Sequence, residues 1–553
     1  MKTVRSQRRA TDYGPLTERI TMRYSNFLSS LMLAIALATV ACANGKPVVT
    51  AEAASNTGDP EVQSASTTLQ SFIPVEGADL MAKLDAARDR AKAKQSSYWS
   101  AYAFDVRPGV AVDPAVREFH GSMNTIGDSS VFIGTTADGM TVETKNLAIF
   151  LLRDTANQIT RMEVYNLERK REYSGYPVYW LGRANNEESL NYLRALAAAA
   201  PLDMLSERAV LGIALHDDQR VGGMLKSFVS SSPNQKIRST SVYWLGQVGG
   251  ETPFLAGLVR NEAEDKKLRR SAAYAIGQSH DRGAMATIQS LYDAVKVGEI
   301  RQGLISAAGD ADDKQAAFTF LLSVAKNDAD WESRRTAVRN LGEFQRDDVV
   351  DELMKIYSAD SNPEVKRGAL RSLAETKNAR AQAKLLEVAK NEPNPELRKQ
   401  AIRVMSDRGE AAVDDLIKLF DAEQSQDVRR STLQALSDIK SQKVEDKLFA
   451  VAGSNENIEV RKQAIRLLGE RAGKKSFEFL SATAQSADGN SEVQMQAVRA
   501  ISERHSEESV PLLIKIAKTH PNQQVRKQAI RSLGESGDPR AVEFFREVLT
   551  NEE

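Results

Sequence analysis

The sequence predicts a mainly α protein, an α-solenoid of about twelve paired-helix repeats preceded by a small α+β domain. Three observations carry that expectation. The decapeptide VRKQAIRSLG (525–534) has eleven relatives upstream, each starting 31 to 33 residues before the next. Aromatic residues make up only 6% of the chain and charged residues 27%, and Ala, Leu, Glu, Lys and Arg dominate its last two thirds, a helix-forming mixture. Residues 73–172 stand outside the period and contain strand-like stretches. At 553 residues the chain also exceeds what one hydrophobic core usually organises, which favours several domains or an array.

The N-terminal segment, residues 1–43, reads as an export signal. Arg5, Arg8, Arg9, Arg19 and Arg23 precede the apolar run FLSSLMLAIALATVA (27–41), which is too short to span a bilayer and is followed at once by small polar residues. Met1 and Met22 both stand as starts, because MRYSNFLSSLMLAIALATVACA alone has the charged, apolar and small-residue parts. The Arg8-Arg9 pair lacks the adjoining apolar residues of a twin-arginine signal. Cys42, the only cysteine, closes the run in the string TVAC. It is a lipidation candidate, since the string resembles a bacterial lipobox with Thr39 in place of the usual Leu; ordinary cleavage around Ala41-Cys42-Ala43 is the alternative. With one cysteine there is no disulfide, so stability rests on packing. Residues 44–72, rich in Ala, Ser, Thr and Pro, compose a flexible linker.

Residues 73–172 form the α+β domain. LMAKLDAARDRAKAK (80–94) is helical; SYWSAYAFDV, DSSVFIGTT, MTVETK, LAIFLLRD and ITRMEVYNL are β-like, with Thr155-Ala156-Asn157-Gln158 as a hairpin turn.

The solenoid follows over 173–553. Counting the first residue of each decapeptide as position 0, apolar residues fall at positions 0, 4, 5 and 8, one stripe of an α-helix, and the final Gly is a natural stop. The series runs from YSGYPVYWLG at Tyr173 and LSERAVLGIA at Leu205, through IRSTSVYWLG at Ile237 and LRKQAIRVMS at Leu397, to Val525. Second amphipathic segments lie between, such as ARAQAKLLEVAK (379–390) and SVPLLIKIAK (509–518). Asn362-Pro363-Glu364 and Asn394-Pro395-Glu396 carry helix-start signals: Asn caps, Pro takes the first helical position, and Glu meets the positive end of the dipole. One such unit buries a few apolar side chains at about 1.5 to 3 kcal/mol each, too little to order some thirty residues, so units fold only when stacked.

The period and the V-R-x-x-A-x-x-x-L-G core resemble HEAT repeats, in the short form also found in phycobilisome bilin lyases, over about 173–550. Tetratricopeptide and ankyrin repeats have different signatures, absent here. The resemblance implies a right-handed superhelix whose VRKQAIRSLG-type helices line the concave side. It also raises two enzyme readings. A bilin-lyase-like activity conflicts with an export signal, and the His-Glu iron ligands of deoxyhypusine hydroxylase have no counterpart, since none of His120, His216, His280, His505 and His520 precedes a Glu.

The decapeptide helices point positions 2, 3 and 6 away from the core stripe. Position 6 is Tyr179, Leu211, Tyr243, Tyr274, Ser306, Arg339, Arg371, Arg403, Gln434, Arg466, Arg499 and Arg531 along the series. Tyr179, Tyr243 and Tyr274 suit a partner peptide, because Tyr anchors at modest entropic cost; alternatively they pack with Trp180 and Trp244 against the α+β domain. Arg339, Arg371, Arg403, Arg466, Arg499 and Arg531 suit an acidic partner, or neutralise the acids four residues on, Glu343, Glu375, Asp407, Glu470, Glu503 and Glu535. VYWLG at 178–182 and again at 242–246 is expected to occupy equivalent places in two helices.

No catalytic constellation, metal site or cofactor motif is read from the sequence. GERAGKKS (469–476) has the wrong glycine spacing for a phosphate loop, and Asp310-Ala311-Asp312-Asp313 is a weak calcium turn. The 74 basic and 74 acidic residues cancel, which removes the net field that nucleic-acid binders rely on. The expected role is an exported, periplasmic or membrane-anchored scaffold that binds another protein or peptide, with contact with the membrane only through a lipid anchor. The alternative makes the solenoid a spacer and the α+β domain the recognising part.

Overall fold

In a computed structural model the protein is described over residues 72–550, apart from 115–118, 127–128, 137–142, 200–202, 345, 472 and 487–488. The export signal, Cys42, nearly all of the linker and half of the MTVETK stretch lie outside the described residues.

The strands come from short runs of alternating or wholly apolar residues. They are β1 (Ile73–Pro74), β2 (Tyr98–Ala103), β3 (Val110–Val112), β4 (Phe119–Ile126), β5 (Ser129–Thr136), β6 (Leu147–Arg153), β7 (Ile159–Asn166) and β8 (Val178–Arg183). Five build one sheet in the order β1-β8-β2-β6-β7, and β3-β5-β4 build a second. The turn at 155–158 joins β6 to β7 as expected, with Asn157 in the left-handed region at φ 64° and its N–H donating to Asp154 O at 3.0 Å. Helix α1 (Leu80–Lys92) starts on Asp79, whose side chain caps Ala82 N. One face of the large sheet packs into the core shared with the helices, while Phe72, Trp99, Phe150, Tyr165, Tyr173 and Trp180 fill the other.

The strand β8 corrects the expected start of the array. VYWLG at 178–182 is not a helix; it lies inside the sheet, parallel to β1 and β2. Pro177, which has no N–H to donate, sits where the other decapeptides have a residue whose N–H can join the helix ladder, and Ser174 and Gly175 before it adopt positive φ, so a helix cannot form across 173–182. In β8, Tyr179 and Leu181 point into the shared core and Trp180 to the aromatic face. In the helical copy Val242, Trp244 and Leu245 are buried and Tyr243 half-buried. The same five residues exchange the roles of Tyr and Trp because a strand alternates every residue and a helix does not.

The remaining eleven decapeptides are helices. They are α3 (Asp203–Ala214), α5 (Gln235–Val248), α7 (Lys266–Gly277), α9 (Gly298–Asp310), α11 (Trp331–Leu341), α13 (Pro363–Glu375), α15 (Pro395–Ser406), α17 (Gln426–Ser437), α19 (Ile458–Gly469), α21 (Ser491–Ser502) and α23 (Gln523–Glu535). Between them run α2 (Asn186–Ala199), α4 (Arg220–Ser231), α6 (Thr252–Arg260), α8 (Ala284–Ala294), α10 (Lys314–Asn327), α12 (Asp347–Ala359), α14 (Ala379–Asn391), α16 (Val413–Ala422), α18 (Gln442–Gly453), α20 (Lys474–Gln485), α22 (Ser506–Thr519) and α24 (Pro539–Thr550). Each even helix pairs with the odd helix after it, and odd helices stack on one another far more closely than even helices do. Among the described residues no helix is long and apolar enough to cross a membrane. Asn362 and Asn394 cap as expected, accepting from Glu364 N at 2.8 Å and Glu396 N at 2.9 Å.

Positions 0, 4, 5 and 8 are buried, as Val365, Ala369, Leu370 and Leu373 show. The sequence missed two further packing positions. Position 7 is buried against the preceding odd helix, and position 9, read as a helix stop, is the surface it packs on. A Cβ on Gly246 would lie 2.6 Å from Ala275 O, one on Gly342 2.7 Å from Ser372 Cβ, and one on Gly469 2.7 Å from Ala500 Cβ. These glycines admit the next helix, Gly246 from inside its own and Gly342 and Gly469 at the ends of theirs. Gly534 is within α23, with nothing within 4 Å of its would-be Cβ, and Ile530 at position 5 is 41% exposed where its equivalents are buried.

Candidate partner-binding face

At its first repeat the position-3 and position-6 side of the odd helices is covered by the sheet. Arg208 on α3 is buried and pairs with buried Glu163 of β7, also donating to Met162 O at 2.8 Å. Leu211 is 2% exposed, and a Cβ on Gly212 would approach Met162 and Ile149. The sheet thus takes the place of a preceding repeat and caps the array.

Tyr179 is 1% exposed, edge-on to Tyr98 at 5.7 Å, and is a core residue, not a contact site. The packing alternative holds for it. Tyr243 and Tyr274 occupy the same position of adjacent helices α5 and α7 and are half-buried; Tyr243 rests edge-on against Trp244 at 5.1 Å. They stand on adjacent stacked helices, and each keeps part of its surface exposed.

The arginine ladder divides. Arg466 pairs with Glu470 and donates to Gln434 Oε1 at 2.5 Å, and Arg499 donates to Gln528 Oε1 at 3.3 Å. Arg339, Arg371, Arg403 and Arg531 are exposed and, among the described residues, have neither an ion pair nor a hydrogen bond through their guanidinium groups. Neutralisation by the acid four residues on is therefore realised at Arg466 and not at these positions. An open groove of about 460 Å³ runs between α21 and α23, lined by Arg499, Glu503, Gln528, Arg531 and Glu535.

A different set of arginines, at position 1, holds the repeats together, and the sequence reading passed over it. Arg238 reaches Val229 O at 2.6 Å and Glu264 Oε2 at 2.5 Å. Arg334 reaches Asp328 O at 2.9 Å and Asp360 Oδ2 at 2.7 Å. Arg429 makes a two-pronged pair with Glu456 at 2.6 and 2.7 Å. Each guanidinium caps the C-terminal end of the preceding even helix or grips the acid one repeat ahead, and its counter-charge holds the carboxyls of Asp360 and Glu456 below their usual range against the opposing effect of burial. The recurrence of Arg or Lys right after position 0, with an acid 25–27 residues on, was the available signal.

His216 is the strongest chemical curiosity. It is 2% exposed and stacks on Phe104 at 4.3 Å. Its Nδ1 lies 2.6 Å from Gly212 O, which only accepts, so Nδ1 carries the proton and Nε2 accepts from Ser189 Oγ at 2.8 Å. Tyr102 Oη lies 3.2 Å from Ser189 Oγ. Burial pushes the imidazole pKa down to about 4. All three side chains are sealed in the joint between sheet and first hairpin, so the arrangement braces that joint and meets no substrate. His280 is exposed and faces Asp312 at 2.8 Å. Asp313 caps α10 through Ala316 N. Among the described residues no group of three or more His, Cys, Asp and Glu is placed to hold a metal ion.

Paired helices stacked through an odd-helix layer, with recurring small residues at position 9, match a known repeat. A family model described as HEAT repeats matches residues 318–406, 413–490 and 482–553. Residues 318–553 are HEAT repeats. The hairpins from α2 to α9 continue the same paired-helix stacking upstream of the matched residues. No curated protein sequence matches the chain. Among solved structures it is similar to the karyopherin Kap121p, at 14% identity and a TM-score of 0.31 over 66% of this chain and 43% of that one. It is similar also to human deoxyhypusine hydroxylase, at 15% and 0.22 over 52% and 96%, and to the CpcE–CpcF phycocyanin lyase of Nostoc, at 17% and 0.23 over 45% and 92%. The chain spans less than half the length of the karyopherin. None of these likenesses carries a function across.

Proposed function

We propose that the protein is an exported scaffold that holds another protein or peptide along the exposed side of its odd HEAT helices. The observation behind this is repetition: Tyr243, Tyr274, Arg339, Arg371, Arg403 and Arg531 stand at one helical position in six repeats and keep part of their surface exposed. Rigid stacking sets such side chains in register, so affinity accumulates over many modest contacts without a deep pocket. The basic and apolar N-terminal run and Cys42 support export, with a periplasmic or lipid-anchored site of action.

A second reading has its own observation. An open cavity of about 440 Å³ beside β3, lined by Asp113, Ser130, Phe132, Arg169, Lys170 and Arg171, gives the α+β domain a recess with charged residues around it, as recognition by that domain requires. Affinity capture from the envelope fraction separates the two. Residues 173–553 make a poor bait, because that cut splits the sheet and removes the covering of α3. The full chain and its Tyr243→Ala/Tyr274→Ala variant are the informative pair. Loss of the captured protein with the variant, at unchanged melting temperature, supports the scaffold; undiminished capture assigns recognition elsewhere.

A further inference from the structure

Three consecutive odd helices repeat one unfavourable arrangement. Arg335 and Arg339 on α11, Arg367 and Arg371 on α13, and Lys399 and Arg403 on α15 are like charges four residues apart on the outward side. Such pairs destabilise a helix by a few tenths of a kcal/mol each. The first member is partly compensated: Arg367 pairs with Glu364 at 2.8 Å, Lys399 with Glu396 at 2.5 Å, and Arg335 lies 5.1 Å from the Trp331 ring centroid. The second members, Arg339, Arg371 and Arg403, are exposed and without partners among the described residues. Between the two rows lie buried Thr336 on α11, Gly368 on α13, against which the stem of Arg335 rests, and half-buried Gln400 on α15. The acids beyond, Glu343 and Asp407, are also exposed, yet among the described residues no ion pair joins them to these arginines.

We propose that this ladder binds an acidic peptide in polyproline II conformation that carries a carboxylate at every third residue. The inference rests on the scaffold reading and supplies its partner's chemistry. Packed helices stand about 8–10 Å apart. A polyproline II chain has three residues per turn and rises about 3.1 Å per residue, so every third side chain returns to the same edge after about 9.3 Å. Each carboxylate then enters between two cations of one helix, and the next meets the following repeat in step. An α-helix comes near this interval only every seventh residue and is about 10–12 Å across, too broad to set each carboxylate between side chains one turn apart.

The test is fluorescence anisotropy with the full chain and a labelled peptide of about four Glu-Pro-Pro units. Comparison ligands are the same composition with its glutamates adjacent and a single-stranded DNA of equal charge. The spaced peptide is expected to bind roughly tenfold tighter than either. The Arg339→Gln/Arg371→Gln/Arg403→Gln variant is expected to lose roughly tenfold to a hundredfold in affinity at an unchanged melting temperature, while Arg260→Gln on the opposite layer leaves binding unaltered. Equal binding of the clustered peptide or of DNA overturns the proposal in favour of unspecific attraction of polyanions. No binding of any acidic ligand overturns it too; if Tyr243→Ala/Tyr274→Ala still abolishes capture of the natural partner, the scaffold reading survives that failure, and if capture is unaffected both fall.

Discussion

The role of position 9 yields a paired experiment with an internal control. Gly277 and Gly534 occupy the same place in α7 and α23, both within helices and neither at positive φ. A Cβ on Gly277 would sit 2.7 Å from the carbonyl carbon and Cα of Ala307, closer still to its oxygen, and all three are backbone atoms that no rotamer change can move. Restoring an ordinary contact of about 3.5 Å demands that α7 and α9 part by about 1 Å, which forfeits a quarter to a half of the dispersion energy of the contacts between them. Overpacking of this kind costs about 1–3 kcal/mol. Ala in a helix interior returns about 0.5–1 kcal/mol relative to Gly. Gly277→Ala should therefore be destabilising by roughly 1–2 kcal/mol after that offset. Gly534→Ala meets nothing and should stabilise by about 0.5–1 kcal/mol. Urea unfolding followed by circular dichroism reads both, and because repeat arrays open locally, amide exchange on α7 and α9 should show where the loss falls. If Gly277→Ala proves neutral or stabilising, as its counterpart is expected to be, the close approach of these helices is wrong and position 9 is merely a helix terminus.

Three further outcomes follow from the same contacts. Glu163→Gln removes the counter-charge of buried Arg208 and should cost about 3–5 kcal/mol, read as a lowered melting temperature with exchange rising first in β7 and α3. Arg334→Gln breaks the pair to Asp360 and the carbonyl bond at Asp328 and should cost about 1–3 kcal/mol, whereas exposed Arg371→Gln should stay within about 0.5 kcal/mol in the same denaturation series. His216 has a folded pKa near 4, below its usual 6.5, so the unfolded chain binds the extra proton between these values and stability falls as pH drops through that window. The contribution approaches about 3 kcal/mol by pH 4, and in His216→Gln the pH dependence between 4 and 6.5 should flatten by that amount.

What the sequence revealed follows from the kind of signal each feature leaves. Helix burial has a period of 3.6, so positions 0, 4, 5 and 8 announced the stripe, and Asn-Pro-Glu announced the starts of α13 and α15. Contacts between repeats leave no such period within one helix. Gly469 looks like a stop until Ala500 is seen against it, and Arg429 looks like one more surface charge until Glu456, twenty-seven residues later, closes on it. The strand β8 was misread because VYWLG fits both lattices. The deciding residue lay just outside the pentapeptide, at Pro177, whose ring and missing N–H forbid the helix that Ser241 allows in the second copy. Tyr179 was lost as a contact residue by that one imino acid.

The two sets of arginines make the same point about function. An arginine at position 1 and one at position 6 are equally basic in the sequence, and the decapeptide VRKQAIRSLG carries both. Their difference lies in what each can reach. Position 1 sits at the start of its helix, within range of the carbonyls that end the even helix before it and of the acid one repeat ahead, so its charge is consumed in holding neighbours together. Position 6 lies a turn and a half further on, and the acid four residues after it is on its own helix, a contact worth little and made, among the described residues, at Arg466. A fold that uses the position-1 cation for cohesion, Arg334 and Arg398 at helix ends and acids and Lys366 over the Tyr357 ring, leaves the position-6 arginines exposed at Arg339, Arg371 and Arg403. The partner is accordingly to be sought by the charge it brings to that row, and the position-1 arginines are the ones whose loss should unfold the array before it weakens binding.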